Sequence, residues 1–73
     1  KKFDIAFLDP PYNSGVLQDA LIKTANVMSD SGVIICEHPA QIQLPEAVSD
    51  FKAAKKYKYG KIHVTIYKKE QSS

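Results

Sequence analysis

Two short apolar runs separated by a segment with helical spacing limit the folds open to this chain. The first run, Phe3 to Leu8, is apolar at nearly every position and is followed closely by Pro10 and Pro11, neither of which can donate a sheet hydrogen bond. Such a run is typical of a parallel strand that is covered on both faces. The second run, residues 33–36, continues into Glu37-His38 before the next proline. It predicts a second buried strand.

The segment between the two runs has the spacing of a helix from about Val16 to Ser29. The apolar residues that recur on one face are Leu17, Leu21, Ala25 and Met28. Gly32 is a candidate for the left-handed residue that ends many helices. A strand, a helix and a strand in this order predict a βαβ unit, with parallel strands and a right-handed crossover.

The second half of the chain predicts an antiparallel hairpin. Residues 39–50 are less regular, and Pro45 is placed to begin a short helix that runs through Val48. Residues 52–59 and 61–69 are two strand-like arms around Gly60, the first of them a weak strand because it is rich in lysine. Residues 70–73 are expected to form a frayed tail. The predicted fold class is therefore α/β, a βαβ unit followed by an antiparallel β-hairpin.

Length and composition allow one domain in a reducing compartment. The chain has 73 residues and a single cysteine, so it has no internal disulfide. Cys36 lies in an apolar run and is interpreted as a buried small hydrophobe rather than a nucleophile. No apolar stretch is long enough to cross a bilayer, and no spacing is typical of a metal site. We therefore expect a cytoplasmic protein with no membrane partner and no metal.

Basic side chains are concentrated in the last third of the chain, although the net charge is only +2. The clustered residues are Lys52, Lys55, Lys56, Lys58, Lys61, Lys68 and Lys69. They interleave with Tyr57 and Tyr59, a spacing that suits phosphate contact and base stacking. Lys56, Lys58 and Tyr59 are thus candidate nucleic-acid contacts, and a solvated surface remains the alternative.

Two histidines have less specific interpretations. Glu37-His38 ends the second predicted strand, where it would either line a cleft or form a local structural pair. His63 lies in the middle of a strand, and a surface or packing role is favoured over catalysis.

The sequence Asp9-Pro10-Pro11-Tyr12 is the strongest functional signal in the chain. The two prolines stiffen the backbone at the end of the first strand, where α/β sheets bind their ligands. The Asp9 carboxylate and the Pro10 carbonyl are two fixed hydrogen-bond acceptors, and Tyr12 adds an aromatic face. Two acceptors and a ring suit a planar group that carries an NH₂, whose lone pair is then held ready to attack an electrophile. The alternative is a rigid end to the strand with no chemical role.

These residues resemble the catalytic motif of S-adenosylmethionine-dependent methyltransferases that act on exocyclic amines of bases. Adenine-N6 and guanine-N2 enzymes share this motif. The order of the other motifs is similar to the bacterial 16S ribosomal RNA guanine-N2 methyltransferases: Phe3-Asp4, Gly32-Val33-Ile34, Glu37-His38, Tyr59-Gly60 and Thr65-Ile66-Tyr67. The resemblance spans nearly all of the 73 residues, but only the last part of such an enzyme.

The resemblance implies a role for each residue of the motif. Asp9 and Pro10 would bind and orient the guanine amine as catalytic residues, Pro11 would hold the turn, and Tyr12 would stack on the base. Asp9 would also lie near the methyl donor, S-adenosylmethionine.

The resemblance also implies a partial domain. Residues 1–73 would be the C-terminal half of a Rossmann-like methyltransferase sheet. The chain has no glycine-rich loop for the cofactor, because its three glycines, at positions 15, 32 and 60, are far apart. We therefore expect the isolated chain to be inactive and to bind the cofactor weakly or not at all.

Partners follow from the same resemblance. The substrate would be ribosomal RNA or the small ribosomal subunit. One face of the sheet would lack its covering helices, and a bare edge along Phe3–Leu8 would pair with another copy or with an N-terminal fragment. Two alternatives remain open: a fragment of a DNA adenine-N6 methyltransferase, and a non-catalytic nucleic-acid-binding remnant.

Overall fold

A single helix packs on one face of a mixed sheet in the computed structural model, which describes residues 2–8 and 14–69 except for the Ser14 side chain. In this part of the chain the sheet has five strands in the order β1-β2-β5-β4-β3. The elements are β1 (Phe3–Leu8), α1 (Ser14–Ala25), β2 (Met28–Pro39), β3 (Ala47–Val48), β4 (Phe51–Tyr59) and β5 (Ile62–Lys69). The predicted α/β class, a βαβ unit followed by a hairpin, is confirmed.

The pairing of the strands follows the prediction. β1 and β2 are parallel, with Leu8 opposite Cys36. β5 lies antiparallel between β2 and β4, so that the hairpin extends the parallel pair. β1 is the outermost strand of the described sheet, and the bare edge expected along Phe3–Leu8 is present.

The helix ends earlier than the spacing predicts. α1 stops at Ala25, and Met28 is the first residue of β2 rather than part of the helix. The amides of Asn26 and Val27 bond back to carbonyls of the last helical turn, and the Val27 carbonyl accepts the Phe3 N–H at 2.9 Å. Tertiary pairing with β1 therefore turns the chain before the apolar spacing is exhausted.

The prediction that Gly32 ends the helix is wrong. Gly32 lies inside β2, in an irregular stretch where Met28 pairs with Phe3 but Val33 already pairs with Ile5. A Cβ on Gly32 would lie 2.7 Å from the Met28 side chain and 3.1 Å from the Phe3 carbonyl oxygen. Glycine stands here because two strands approach closely, not because a helix needs a left-handed residue.

The predicted short helix at Pro45 is also wrong. Residues 42–45 have no regular structure, and Ala47–Val48 is the two-residue strand β3. The lysine-rich arm, in contrast, is a full strand of nine residues. Its turn is formed at Gly60, whose φ of 60° lies in the left-handed region that glycine adopts easily.

The core lies between α1 and the sheet. Its fully buried side chains are Leu17, Leu21, Ile34, Cys36, Phe51 and Tyr67. The Tyr67 hydroxyl donates to the Pro45 carbonyl oxygen at 2.5 Å, which ties the irregular segment to the sheet. Burial raises the pKa of Tyr67, with smaller contributions from Cys36 and Glu46. We call this side of the sheet the helix face.

The opposite side, which we call the open face, is apolar but uncovered by any described residue. Residues of β1 at alternate positions share it, and Phe3, Ile5 and Phe7 are 56%, 64% and 67% exposed. Val33, Ile35, Val64 and Ile66 of β2 and β5 continue it at intermediate exposure. The prediction that β1 is covered on both faces is therefore wrong for this chain, whereas the expected lack of a covering layer on one face is observed.

Candidate functional site

The residues of the predicted catalytic motif, Asp9, Pro10, Pro11 and Tyr12, lie outside the described residues. The chain leaves β1 at Leu8, opposite Cys36, and enters α1 at Ser14. The Val27 carbonyl ties the far end of the helix to the start of β1 at Phe3. In the sequence the motif thus follows β1 and precedes α1. Because β1 and β2 are parallel, β1 ends at the same edge of the sheet as β2, whose last residues are His38 and Pro39.

A cleft of about 390 Å³ opens on the helix face at this end of β2. Its floor includes the apolar side chains of Ile42 and Leu44 from the irregular segment. The other residues that line it are His38, Ala40, Gln43, Glu46, Lys56, Tyr57, Lys58, His63 and Thr65. We call it the His38–His63 cleft. The volume is within the range of small-molecule pockets, although most such pockets have a more apolar lining than this one.

His38 forms the rigid back of the cleft. The residue is only 4% exposed, and both ring nitrogens have partners. Nδ1 lies 3.1 Å from the Pro39 carbonyl oxygen, and Nε2 lies 2.8 Å from the Thr65 hydroxyl. Because a carbonyl can only accept, Nδ1 is the donor to Pro39; in that tautomer Nε2 accepts from the Thr65 hydroxyl. Of the two interpretations of Glu37-His38, the structure favours a lining position for His38, while Glu37 is exposed.

His63 lies beside His38 on the next strand. The two residues are cross-strand partners, and their rings meet edge to face with centroids 5.9 Å apart at 80°. Neither His63 nitrogen has a hydrogen-bond partner among the described residues. The packing role favoured by the sequence is observed, and the ring also lines the cleft.

The hairpin residues predicted to contact nucleic acid divide between the two faces of the sheet. Lys56 and Lys58 pair with Thr65 and His63, so both line the cleft. Tyr59 is adjacent to Lys58 in the strand and lies on the open face, because successive strand residues point to opposite sides. There it stacks on Tyr57, with ring centroids 6.3 Å apart and planes at 22°.

The two cleft lysines differ in their partners. Lys56 Nζ lies 2.7 Å from a Glu46 carboxylate oxygen, and the two side chains are 53% and 74% exposed. An exposed pair of this kind contributes roughly 0–1 kcal/mol and is easily exchanged for another partner. Within residues 2–8 and 14–69, Lys58 has no carboxylate partner.

Lys69 belongs to a different part of the surface. Its ammonium lies 2.8 Å from Asp30 and 3.9 Å from Asp50. The hydrogen bond and the charge of Lys69 lower the pKa of Asp30, and the same hydrogen bond raises the pKa of Lys69. The basic third of the sequence is therefore not one continuous site.

Cys36 is fully buried beneath the cleft, as predicted. Burial raises the pKa of its thiol to about 12, so the thiolate needed for nucleophilic chemistry is disfavoured. In the described part of the chain no three His, Cys, Asp or Glu side chains are placed to hold a metal ion. No described helix has the length and apolar character required to cross a membrane.

The irregular wall of the cleft cannot be predicted from the sequence. Gln43, Leu44 and Glu46 come from the segment predicted to be partly helical. Thr65 was noted only within a motif, yet it is 3% exposed and holds His38. The turn at Gly60 could have predicted that His63 lies opposite Lys58. No local signal predicted that His63 also lies opposite His38, which is on β2.

A family model, "Conserved hypothetical protein 95", matches residues 1–68. The chain belongs to this family. A Bacillus subtilis (strain 168) relative described as "Putative rRNA methyltransferase YlbH" is 40% identical over 65 residues, which are 86% of this chain and 35% of the relative. The chain thus spans about a third of the length of that relative. The predicted resemblance to ribosomal RNA methyltransferases is confirmed at the level of the family.

Solved structures share the same fold. A Streptococcus pyogenes structure, described as a conserved hypothetical protein, is 31% identical with a TM-score of 0.84, covering 94% of this chain and 44% of that one. An Escherichia coli structure, "Putative methyltransferase yhhF", is 21% identical with a TM-score of 0.76, covering 94% of this chain and 39% of that one. The second shows the fold alone.

Proposed function

We propose that this chain supplies the target-amine half of an S-adenosylmethionine-dependent methyltransferase that acts on the guanine N2 amine in 16S ribosomal RNA. One observation carries the proposal. The sequence Asp9-Pro10-Pro11-Tyr12 directly follows β1 along the chain, and β1 ends at the sheet edge that bears the His38–His63 cleft. The family includes a relative described as a putative rRNA methyltransferase.

The chain's own residues bind and orient the amine. The Asp9 carboxylate and the Pro10 carbonyl accept its two hydrogens, Tyr12 stacks on the base, and Pro11 restricts the turn. Orientation of this kind contributes rate because a nucleophile held in line needs no further ordering. The base has to be unpaired, since a stacked amine is out of reach.

The described residues do not fit the main binding loop of the methyl donor. Gly32 is enclosed within β2, and Gly60 forms a hairpin turn, so neither belongs to a glycine-rich phosphate or ribose loop. We therefore propose that the cofactor site is built mainly by protein outside the 73 residues, with Asp9 at its boundary.

The open face and the β1 edge are the surfaces on which that part of the protein would pack. Phe7 is 67% exposed on an apolar sheet face, and the Streptococcus pyogenes structure has more than half of its chain outside the matched region. In the complete protein Phe7→Ser is expected to cost about 2–4 kcal/mol of unfolding free energy, as for a buried aromatic. In the isolated chain the expected change is within about 0.5 kcal/mol.

The two outcomes are distinguished by urea unfolding of both proteins and by light scattering. Equal and small costs in both would contradict the covering layer. A cost in the isolated chain that depends on concentration would show that a second copy, not the rest of the protein, occupies the open face.

Radiolabelled methyl transfer by the complete protein tests the activity. We expect transfer to 16S ribosomal RNA or small subunits, with N2-methylguanosine as the product nucleoside. Asp9→Asn should lower kcat by about 100-fold or more because it removes the charged acceptor. Asp19→Asn is the matched control, since Asp19 is an exposed residue of α1.

Other results would favour the alternatives. N6-methyladenine in duplex DNA would identify a DNA enzyme, and the absence of transfer to either nucleic acid would indicate a binding module.

A further inference from the structure

The His38–His63 cleft has one positive charge in excess and a free imidazole edge. Two lysines and one glutamate line it. Lys56 neutralises that glutamate, Glu46, at 2.7 Å, which leaves the charge of Lys58 uncompensated among the described residues. An unpaired cation at the rim of a pocket attracts an anion.

His63 is the second polar group available to a ligand. It lies opposite Lys58 in the pairing of β4 with β5, so both side chains lie on the same face of the sheet. The two nitrogens of His38 are already occupied by Pro39 and Thr65, and that ring serves as a wall. The nitrogens of His63 have no such partners in the described structure, so its N–H can be donated to a ligand.

The floor of the cleft suits a flat apolar group beside the anion. Ile42, Leu44 and His63 are among the residues that line it. Unpaired bases bind to proteins by stacking on such surfaces while their phosphates contact basic residues. The combination of an apolar floor and a cationic rim is the pattern expected of a nucleotide site.

We propose that the His38–His63 cleft is an RNA subsite for an unpaired nucleotide that neighbours the methylated one, with its phosphate bound by Lys58 and His63. This inference rests on the proposed function for the identity of the RNA. It assigns to the cleft a task separate from that of Asp9 and Tyr12: it binds the flanking strand and does not touch the reacting amine.

Lys58→Gln and Lys55→Gln form a matched pair for testing the subsite. Both residues lie on β4, and both substitutions remove one positive charge. Lys55, however, pairs with Ile66, so its side chain lies on the open face, away from the cleft. Binding of the complete protein to a short single-stranded oligouridylate is measured over a series of chloride concentrations. His63→Phe, which keeps an aromatic ring but removes the donor, is measured alongside.

Loss of one phosphate contact reduces the slope of log Kd against log salt by about 0.7 for a single strand. We expect this reduction, with about fivefold weaker binding, for Lys58→Gln and little change for Lys55→Gln. His63→Phe should weaken binding without altering the slope. Equal effects of the two lysine variants would overturn the proposal, since each lysine would then contribute only to a non-specific electrostatic attraction.

Free phosphate is distinguished from RNA by competition. Inorganic phosphate at constant ionic strength is expected to leave oligouridylate binding unchanged. If inorganic phosphate binds to the unaltered protein but not to Lys58→Gln, while oligouridylate binds to both equally, the cleft is a free-phosphate site and the RNA assignment is wrong.

The proposed function fails separately. If the unaltered protein transfers no methyl group to RNA but shows the Lys58-dependent slope, the subsite proposal stands and the proposed methylation is wrong. If the protein methylates RNA but both lysine substitutions change oligouridylate binding equally, the proposed methylation stands and the subsite proposal is wrong.

Discussion

Substituting Thr65 by valine removes one hydroxyl from the back of the cleft and changes the side-chain shape very little. Thr65 and His38 are 3% and 4% exposed, and the hydroxyl lies 2.8 Å from His38 Nε2. In Thr65→Val the buried nitrogen keeps its lone pair but loses its donor, and little water can reach it. Leaving a buried acceptor unpaired costs about 1–3 kcal/mol. That is a large part of the roughly 5–15 kcal/mol that stabilises a typical domain.

A double-mutant cycle isolates the hydrogen bond from the other effects of substitution. His38→Phe keeps a planar ring in the wall but has no nitrogen, so it leaves the Thr65 hydroxyl without its partner. In the double variant neither orphaned group remains, and replacing both partners by apolar groups is often close to neutral. The double variant should therefore be less destabilised than the sum of the single variants, by about 1–2 kcal/mol.

Urea unfolding followed by circular dichroism gives the four free energies of the cycle. Thr65→Ser is the control, since it keeps the hydroxyl and loses one methyl group, and its cost should not depend on the residue at position 38. Costs for His38→Phe and Thr65→Val that add within about 0.5 kcal/mol would refute the reasoning, because the hydroxyl would then not hold the ring.

Three further predictions concern the core and the strand junction. Gly32→Ala should destabilise the protein by about 1–3 kcal/mol, because its Cβ meets a carbonyl oxygen at 3.1 Å; Gly32→Asn should be worse, and an Asn variant as stable as the glycine protein in thermal unfolding would instead indicate a left-handed cap. Tyr67→Phe should cost about 1–2 kcal/mol in urea unfolding because the Pro45 carbonyl loses its donor, and an unchanged midpoint would contradict that bond. Burial raises the pKa of the Cys36 thiol to about 12. The protonated thiol therefore contributes fully to the free energy of unfolding below about pH 9. Above that pH the contribution falls by roughly 1 kcal/mol per pH unit, because the thiol ionises in the unfolded chain but not in the folded one. Cys36→Ala should flatten the stability curve between about pH 9 and 10, and an unchanged slope there would show that the thiol is not protected.

Local signals were sufficient for the first strand and the hairpin turn. β1 has the predicted bounds, Phe3–Leu8; the apolar run and the two prolines that follow it in the sequence were enough to predict them. The turn at Gly60 forms where predicted, since its φ of 60° is easily reached by glycine. In both places the backbone chemistry of a few residues decides the structure without reference to distant parts of the chain.

Other boundaries depended on tertiary contacts that the sequence does not display. Met28 satisfies the apolar spacing of α1 and is also suited to a strand, and only its pairing with Phe3 decides between them. Lysine has a weak preference for strands, yet Lys52 to Lys58 are held in β4 because β5 pairs along its whole length. Gly32 was misread for the same reason, since close approach of another strand cannot be seen in a local pattern.

The candidate site was predictable where it depends on one motif and hidden where it depends on register. Asp9 to Tyr12 can be recognised in the sequence alone. The His38–His63 cleft needs the pairing of His38 with His63, which are 25 positions apart, and of Lys58 with His63, which are separated by a turn. In a hairpin the register follows from the turn, so the turn at Gly60 predicts the pairing of Lys58 with His63. The pairing of His38 with His63 joins β2 to β5, which no short turn connects, so it could not be predicted in this way.

The period of two in the hairpin separates two tasks that composition alone would merge. Lysines and tyrosines alternate along the second half of β4, and a basic and aromatic stretch of this kind is usually read as one nucleic-acid surface. In the folded strand the side chains of Lys56 and Lys58 lie on the helix face, at the cleft. Tyr57 pairs with Val64 and Tyr59 pairs with Ile62, so both tyrosine rings lie on the open face. The aromatic rings therefore extend the apolar surface of β1 and β2, and the charges that could meet a phosphate stand on the other side of the sheet. One strand thus presents an apolar surface for packing on one face and a charged wall for binding on the other.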